Sequence, residues 1–289
     1  VLTTAVGGQS LTLPKLGAYG SAIAWSVTNG AAYATLNGAN DKVTFADVTE
    51  IQTVELTATL TLAGVVDPTT RAFSITVNPI TTSMIAQVRA MTVSAQLVQI
   101  EGIVYFFTNN SYYITDGTGN LNIYTVPAAG MALGDRVVLV GTLAAYNGQI
   151  QITNAVVKQT VSTGNAHAQT PEVYVPGTSV LVSGNTYTVT GTVAIRGTNN
   201  NVYIMNGDTI LMAIYYRSTV NDSYNALKAQ VGKQITFNGV YMYNGNDSNL
   251  SPAVPGQIFF VYQEGAAGLI LPELTDAEKL ASDKTGLTI

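Results

Sequence analysis

The side chains able to do covalent chemistry are few and scattered. The 289 residues include no Cys and a single His, which excludes disulfides, thiolate nucleophiles and multi-His metal centres. That imidazole, His167, sits in "STGNAHAQTPEV" (Ser162 to Val173), a stretch that reads as a linker and so offers a base no fixed nucleophile. The distinctive carboxylates are Asp116 in "DGTGN" and Asp208 in "NGDT". A carboxylate in a Gly-rich hairpin can bind Ca²⁺, but neither motif has the series of alternating oxygens a loop site needs, so Asp116-Gly117 reads as a type I′ turn. Asp116 with Asp135 is an acidic pair to weigh as acid and base for glycoside cleavage, and a small barrel supplies little cleft for it. "GTGN" lacks the Lys and following helix of a phosphate loop. Lys15, Lys42 and Glu55 have the residue types of an acid-catalysed Lys to Asn cross-link and read instead as solvated charges. No catalytic residue, cofactor or metal is expected.

Binding chemistry is better represented. There are 16 Tyr against one Trp, and several cluster: Tyr105, Phe106, Tyr112, Tyr113 and Tyr124, then Tyr203, Tyr215, Tyr216, Tyr241 and Tyr243. Nucleic acid needs aromatic platforms and a positive groove together. Residues 81–163 carry Arg89, Arg136 and Lys158 against Glu101, Asp116 and Asp135, and residues 164–270 carry 4 basic against 5 acidic residues, so the electrostatic half is missing and nucleic acid is disfavoured. Tyr-rich, Asn-rich, weakly charged faces suit sugars, whose rings stack on aromatics and whose hydroxyls pair with amides. The residues expected to bind such a ligand are Tyr241, Tyr243, Asn244 and Asn246, with Tyr112 and Tyr124 in the earlier cluster; the bland reading is that the Asn and Gly build a long hairpin loop.

The elements that must position these residues are strands. Charged residues make up 10% and hydrophobic ones 47%, β-branched residues run throughout, and an all-β fold is expected. In "TVELTATL" Val54, Leu56, Ala58 and Leu60 alternate with Thr53, Glu55, Thr57 and Thr59, one face buried and one wet. Similar short runs up to Pro79 predict a small sandwich with Trp25 in its core. Next, Met84, Ile85, Val88 and Met91 at helical spacing after Ser83 predict a short helix with Ser83 as its cap. Five strand-like runs follow, with hairpin turns at Asp116-Gly117 and Asn147-Gly148, as a five-stranded Greek-key barrel requires.

That pattern recurs. Asn109, Asn110, Ile114, Gly117 and Leu121 reappear 90 residues later at Asn199, Asn200, Ile204, Gly207 and Leu211, and Gly134 and Gly141 reappear at Gly232 and Gly239, 98 later. Two copies of one unit are expected, the second with about eight extra residues between Leu211 and Gly232, in or near "RSTVNDSYNALKAQ".

Two resemblances attach to these motifs. "LTLP … IAWSV … ELTATLTLAG … RAFSITV" resembles the reduced bacterial immunoglobulin-like modules of secreted and surface proteins. "EGIV … YYITDGTGNLNIY … GDRVVLVGTLAAYNG" resembles the oligonucleotide/oligosaccharide-binding (OB) barrel of bacterial secreted proteins, and the second copy follows by the repeat. The expected layout is an immunoglobulin-like sandwich over 1–80, OB-like barrels over 81–163 and 164–270, and over 271–289 a linker or the opening of a further sandwich, in which Thr275 and Glu278 make a capping box before a weak helical stripe. The resemblances imply a non-catalytic structural or adhesive fragment, extracellular or at the cell surface, with ligand binding as accessory modules the alternative: carbohydrate or another cell-surface ligand ahead of single-stranded nucleic acid. Head-to-tail self-association is a further expectation. No apolar run approaches the roughly 18 residues that cross a bilayer, so no membrane insertion is expected. The opening "VLTTAVGGQS" lacks an initiator Met, and a piece of a longer chain is expected.

Overall fold

A computed structural model of the chain describes residues 3–66, 68–107, 111–124, 130–146, 149–196, 201–214, 227–242 and 257–260, and the fold is all-β with one short α-helix bounded among them. Seven strands form a two-sheet sandwich: β1 (Thr4–Val6), β2 (Ser10–Thr12), β3 (Ala22–Asn29), β4 (Ala34–Leu36), β5 (Lys42–Phe45), β6 (Gln52–Thr61) and β7 (Thr69–Asn78). One sheet has the order β1-β7-β6-β3 and the other β2-β5-β4. The alternation in β6 places Val54, Leu56 and Ala58 in the core, where Trp25 also packs, tilted against Phe73 at 5.5 Å. The Trp25 indole N–H donates to Pro14 O at 2.8 Å, so its one polar group stays satisfied. Truncating this Trp to Ala would cost about 3–5 kcal/mol.

The remaining strands close into two rings. The first contains β8 (Thr82–Ser83), β9 (Leu97–Phe107), β10 (Ser111–Thr115), β11 (Asn120–Tyr124), β12 (Arg136–Tyr146) and β13 (Gln149–Ser162), with α1 (Ile85–Ala90) after β8. The second contains β14 (Glu172–Val173), β15 (Thr186–Arg196), β16 (Asn201–Asn206), β17 (Thr209–Ile214), β18 (Gln234–Met242) and β19 (Gln257–Phe260). In each ring the first long strand pairs with both the second and the fourth, and the third runs parallel to the fifth; β8 and β14 add a short parallel strand at the same place. The 90-residue echo is thus two copies of one topology. One of the eight residues of drift lies in β17: Ile114 pairs with Leu121, while Ile204 pairs with Met212 and the register then shifts; the rest fall between Ile214 and Gly232, mostly outside the described residues.

Closure is achieved at a glycine. At Gly102 an added Cβ would lie 2.4 Å from the Ile114 methyl and 2.8 Å from Thr115 O; at Gly191 the same atom would lie 2.6 Å from the Ile204 methyl and 2.7 Å from Met205 O. Just beyond each, Ile103 and Thr192 pair with strands on both sides. Close approach of backbone and side chain across this bend needs a residue without a side chain.

Helix α1 shows how a distant loop shapes the first barrel. Six residues are too few to hold a helix by themselves. Ile85 and Val88 are fully buried in the barrel core, and the end is capped from elsewhere: Ile85 N–H donates to the Asp116 carboxylate at 2.7 Å and Ala86 N–H to Thr118 Oγ1 at 3.2 Å. Ser83, predicted as the cap, belongs to β8 instead, and Met84 holds the N-cap position. The Asp116 loop is also not a type I′ turn. Four residues separate Thr115 from its partner Asn120, and only Gly117 has positive φ, whereas a type I′ turn needs two such residues. The counterpart in the second barrel, Gly207-Asp208, is a two-residue loop with positive φ at the Gly alone, the pattern of a type II′ turn.

The stretch predicted as a linker is built into the structure. Ser162 ends β13, Glu172 and Val173 form β14, and between them Asn165 N–H and Nδ2 both donate to Gly134 O, at 2.9 and 2.7 Å. Composition suggested flexibility, but side-chain amides can fix a turn-rich segment as firmly as apolar contacts. Sandwich and first barrel meet through a Lys158–Asp47 ion pair. Among the described residues no helix is long and apolar enough to cross a membrane.

Candidate functional site

The aromatic cluster of the first barrel is the natural place for a binding face, and the structure puts it at the contact between the barrels. Tyr105, Phe106 and Tyr113 are buried together with Val240 of β18, and Met242 packs on them. The Tyr105 and Tyr113 rings meet edge to face at 6.3 Å, and Phe106 and Tyr113 lie 5.5 Å apart, tilted. Strand alternation sends Ile114 into the barrel core and Tyr113 into the contact, and the register shift between them leaves Tyr105 of β9 without an opposite residue, so that consecutive Tyr105 and Phe106 both join the contact.

Polar groups surround these rings. A turn at Ser183-Gly184-Asn185, just before β15, lies against the first barrel. The Tyr105 hydroxyl donates to Gly184 O, Ser183 Oγ donates to Gln149 Oε1, and Asn120 Nδ2 donates to Asn185 Oδ1 at 3.1 Å. Arg89, near the end of α1, donates from one nitrogen to Asn120 O at 2.8 Å and Ser183 O at 3.2 Å, clamping both barrels. Gly184 has φ +84°, and an added Cβ would meet Asn120 Cβ and Tyr105 Oη at 3.3 Å each, so a side chain there would be strained and crowded. Burial pushes the Tyr105 phenol well above its ordinary pKa, Tyr113 pushes the same way, and Arg89 opposes them. Burial likewise draws Arg89 below its ordinary value, against the pull of Tyr105 and Tyr187. Rings, amides, hydroxyls and one guanidinium make a binding surface, and its occupant is a turn of the same chain.

The expected ligand residues separate into three groups. Tyr241 is a correction: it is 4% exposed, inside the second barrel's core and edge to face with Tyr187 at 6.1 Å, so it offers no stacking platform. Its alternation with Val240 was legible, but which of the two faced inward was not. Tyr112 is half-buried and stacked with exposed Phe107 at 5.7 Å, and Tyr124 is exposed across the β10–β11 pair. Tyr243, Asn244 and Asn246 lie outside the described residues, as do Tyr215, Tyr216, Asn147-Gly148 and the tail 271–289.

The acidic and basic candidates have local partners. Burial pushes the Asp116 carboxyl up, but the hydrogen bonds it accepts from Ile85 N, Thr118 Oγ1 and N, and Gly119 N outweigh that and hold it below its ordinary value. Asp135 accepts from Ala132 N at 2.8 Å in its own turn. His167 is half-buried, with Nδ1 3.1 Å from Asn165 O, in place of the free loop position predicted. Lys15 donates to Ala39 O at 2.8 Å, and Glu55 accepts from Thr28 Oγ1 at 2.9 Å. Beside the junction runs a groove of about 440 Å³ lined by Thr118, Asn120, Gln169, Glu172, Asn185 and Thr186. Sequence reading missed Arg89 and the Ser183 turn; a basic residue closing a short helix and an "SGN" before a strand are signals too common to single out.

Comparison with models of protein families, with curated proteins and with solved structures finds no match.

Proposed function

We propose that this chain is a non-catalytic structural unit of a modular extracellular or cell-surface protein, an immunoglobulin-like sandwich followed by two OB-like barrels held as one rigid piece. The observation that carries this reading is the filling of the first barrel's aromatic face by the second barrel. In OB-type barrels ligands lie across the second and third strands, and here the neighbouring aromatic surface from β9 and β10 is spent on Val240, Met242 and the Ser183 turn. A linker between independent binding modules gains nothing from such a clamp, whereas a spacer or adhesive arm gains fixed geometry. The commitment of Asp116 and Asp135 to backbone N–H groups supports the non-catalytic part.

The test is a distance distribution between spin labels placed at exposed sites on the two barrels. A single narrow distribution, insensitive to added oligosaccharide or single-stranded DNA, is expected; a broad one would remove the basis for a rigid unit. Carbohydrate binding is the second reading, favoured by the groove of hydroxyls and side-chain amides with Glu172 its one charge. It predicts salt-insensitive binding of neutral oligosaccharides that is weakened by Gln169→Ala.

A further inference from the structure

A second groove, of about 670 Å³, runs where the sandwich meets the first barrel, and every residue lining it is among those described. The sandwich supplies the chain from β1 to β2, with Lys42 of β5 and Asn78 of β7; the barrel supplies residues 95–97 at the start of β9, Thr142 of β12 and Asn154 of β13. Beside it the two units approach closely at Gly8 (φ +80°), where an added Cβ would lie 3.6 Å from Leu97 Cδ1. The barrel wall is irregular backbone. Val140 pairs with Val156 and Thr142 with Thr153, so Asn154 and Ala155 both lie opposite Gly141 as a bulge. Asn154 has φ 51°, and Ala95, just before β9, has φ 55°. Two of the three non-glycine residues with positive φ among the described residues thus line this one groove. Bulges and left-handed residues gather where the fold re-aims a side chain, and Ala has no side-chain hydrogen bond to offset that conformation.

The polar groups of the groove are neutral but for one. The Gln9 side-chain carbonyl accepts from Val6 N–H at 3.1 Å, which keeps its Nε2 for the groove; Asn78 Nδ2 donates to Ala5 O at 3.4 Å, which keeps its Oδ1. With Thr4, Thr142 and Asn154 these amides and hydroxyls offer donors and acceptors together. Lys42 is the single ionisable side chain in the lining, and the carboxylates near it in the chain are engaged, Asp41 by Asn37 at 2.7 Å and Asp47 by Lys158. This inventory selects the ligand. The lining holds no aromatic ring on which a nucleobase could stack, and one Lys is too little charge for a run of phosphates. A peptide strand needs a free edge, and on β1 Gln9 already takes both Val6 N–H and, through its own N–H at 3.1 Å, Val6 O. What fits is a ligand with several hydroxyls, C–H faces to lie on Val6 and Leu97, and one carboxylate for Lys42. A sugar acid has that composition.

We propose that the groove between the sandwich and the first barrel binds an acidic saccharide, its uronic-acid carboxylate at Lys42 and its hydroxyls at Gln9, Asn78, Thr142 and Asn154. The site is separate from the groove beside the barrel junction and does not depend on that one taking a ligand. The test is an amide NMR titration of the full chain with methyl glucuronide and methyl glucoside, which differ at the carboxylate alone, on the wild type and on Lys42→Gln, Asn154→Gly and Gln169→Ala. Lys42 and Asn154 are exposed and glycine accepts a positive φ, so unchanged melting temperatures are expected to confirm that these variants fold. The glucuronide should shift the amides of Gly8, Ala95 and Asn154 and bind about tenfold more tightly than the glucoside. Lys42→Gln should erase that preference, Asn154→Gly should weaken the glucuronide severalfold, and Gln169→Ala should change nothing. Absence of shifts at these amides with millimolar glucuronide, equal binding of the two sugars, or a preference that survives in Lys42→Gln overturns the proposal. So does binding that only Gln169→Ala abolishes, since the sugar would then lie in the other groove.

Discussion

The clamp between the barrels can be tested with one oxygen atom. Tyr105→Phe keeps the ring, and with it the contacts to Phe106, Tyr113 and Val240, but removes the hydroxyl that donates to Gly184 O. A hydrogen bond between neutral groups at a buried site contributes about 0.5–1.5 kcal/mol net, and leaving the carbonyl partner unpaired raises the loss to about 1–2 kcal/mol. That corresponds to a factor of roughly 5–30 in the ratio of docked to undocked barrels. Hydrogen exchange at the Gly184 amide, which donates to Tyr241 O beneath the contact, is the direct readout, and it should quicken by about that factor. Arg89→Met removes two bonds to the same region, at 2.8 and 3.2 Å, and should act similarly. Because both changes release one turn, the double variant should lose less than the sum of the singles. Unchanged exchange at Gly184 in Tyr105→Phe, or strict additivity in the double variant, would refute the picture of a single cooperative clamp.

Three further outcomes follow from the same geometry. Asp116→Ala should loosen α1, quickening exchange at Ile85 and lowering stability by about 0.5–2 kcal/mol; because the folded Asp116 pKa is depressed, its contribution is full above the unfolded value of about 4 and lost as pH falls through the folded one, so the variant's acid unfolding curve should be flatter. Gly102→Ala and Gly191→Ala should each destabilise their own barrel by about 1–3 kcal/mol through overpacking, lowering the melting midpoint by several degrees, and equal midpoints in both variants and the wild type would contradict the closure argument. The raised Tyr105 pKa makes its contribution full below the unfolded tyrosine value of about 10 and lost as pH rises toward the folded one, so the clamp should open in alkali, read as a loss of Gly184 protection relative to its base-catalysed intrinsic exchange, a pH-dependent loss that Tyr105→Phe lacks.

What the sequence made legible was whatever repeats locally. The period-two alternation of β6 named its buried residues, and the echo from Asn109 to Asn199 announced a second copy of the first ring, because both are read within a few residues of chain. What it hid was contact at a distance. Asp116 looked like a turn residue because its function as a helix cap depends on Ile85, 31 residues earlier. Tyr105 and Tyr113 read only as members of an aromatic cluster, because nothing local says that β18 will cover them. For Tyr241 the alternation offered two faces without saying which was inside, and a buried aromatic edge decided it. His167 was misplaced for a different reason: a segment poor in apolar residues was fixed by amide hydrogen bonds, which leave no periodic mark.

Ring closure also decides where the chain is open to strand addition. Every long strand in the two rings has a partner on each side, and the strands appended outside them, β8 and β14, are two residues each, too short to template a foreign chain. The sandwich instead ends in β3 on one sheet, an eight-residue strand covered only where Ile23 donates to Lys15 O. Among the described residues β3 is therefore the longest open edge; β1, β2 and β4 also end their sheets, with three residues each. Edge pairing between copies would start most readily at β3, and a charge placed on its open side would oppose it.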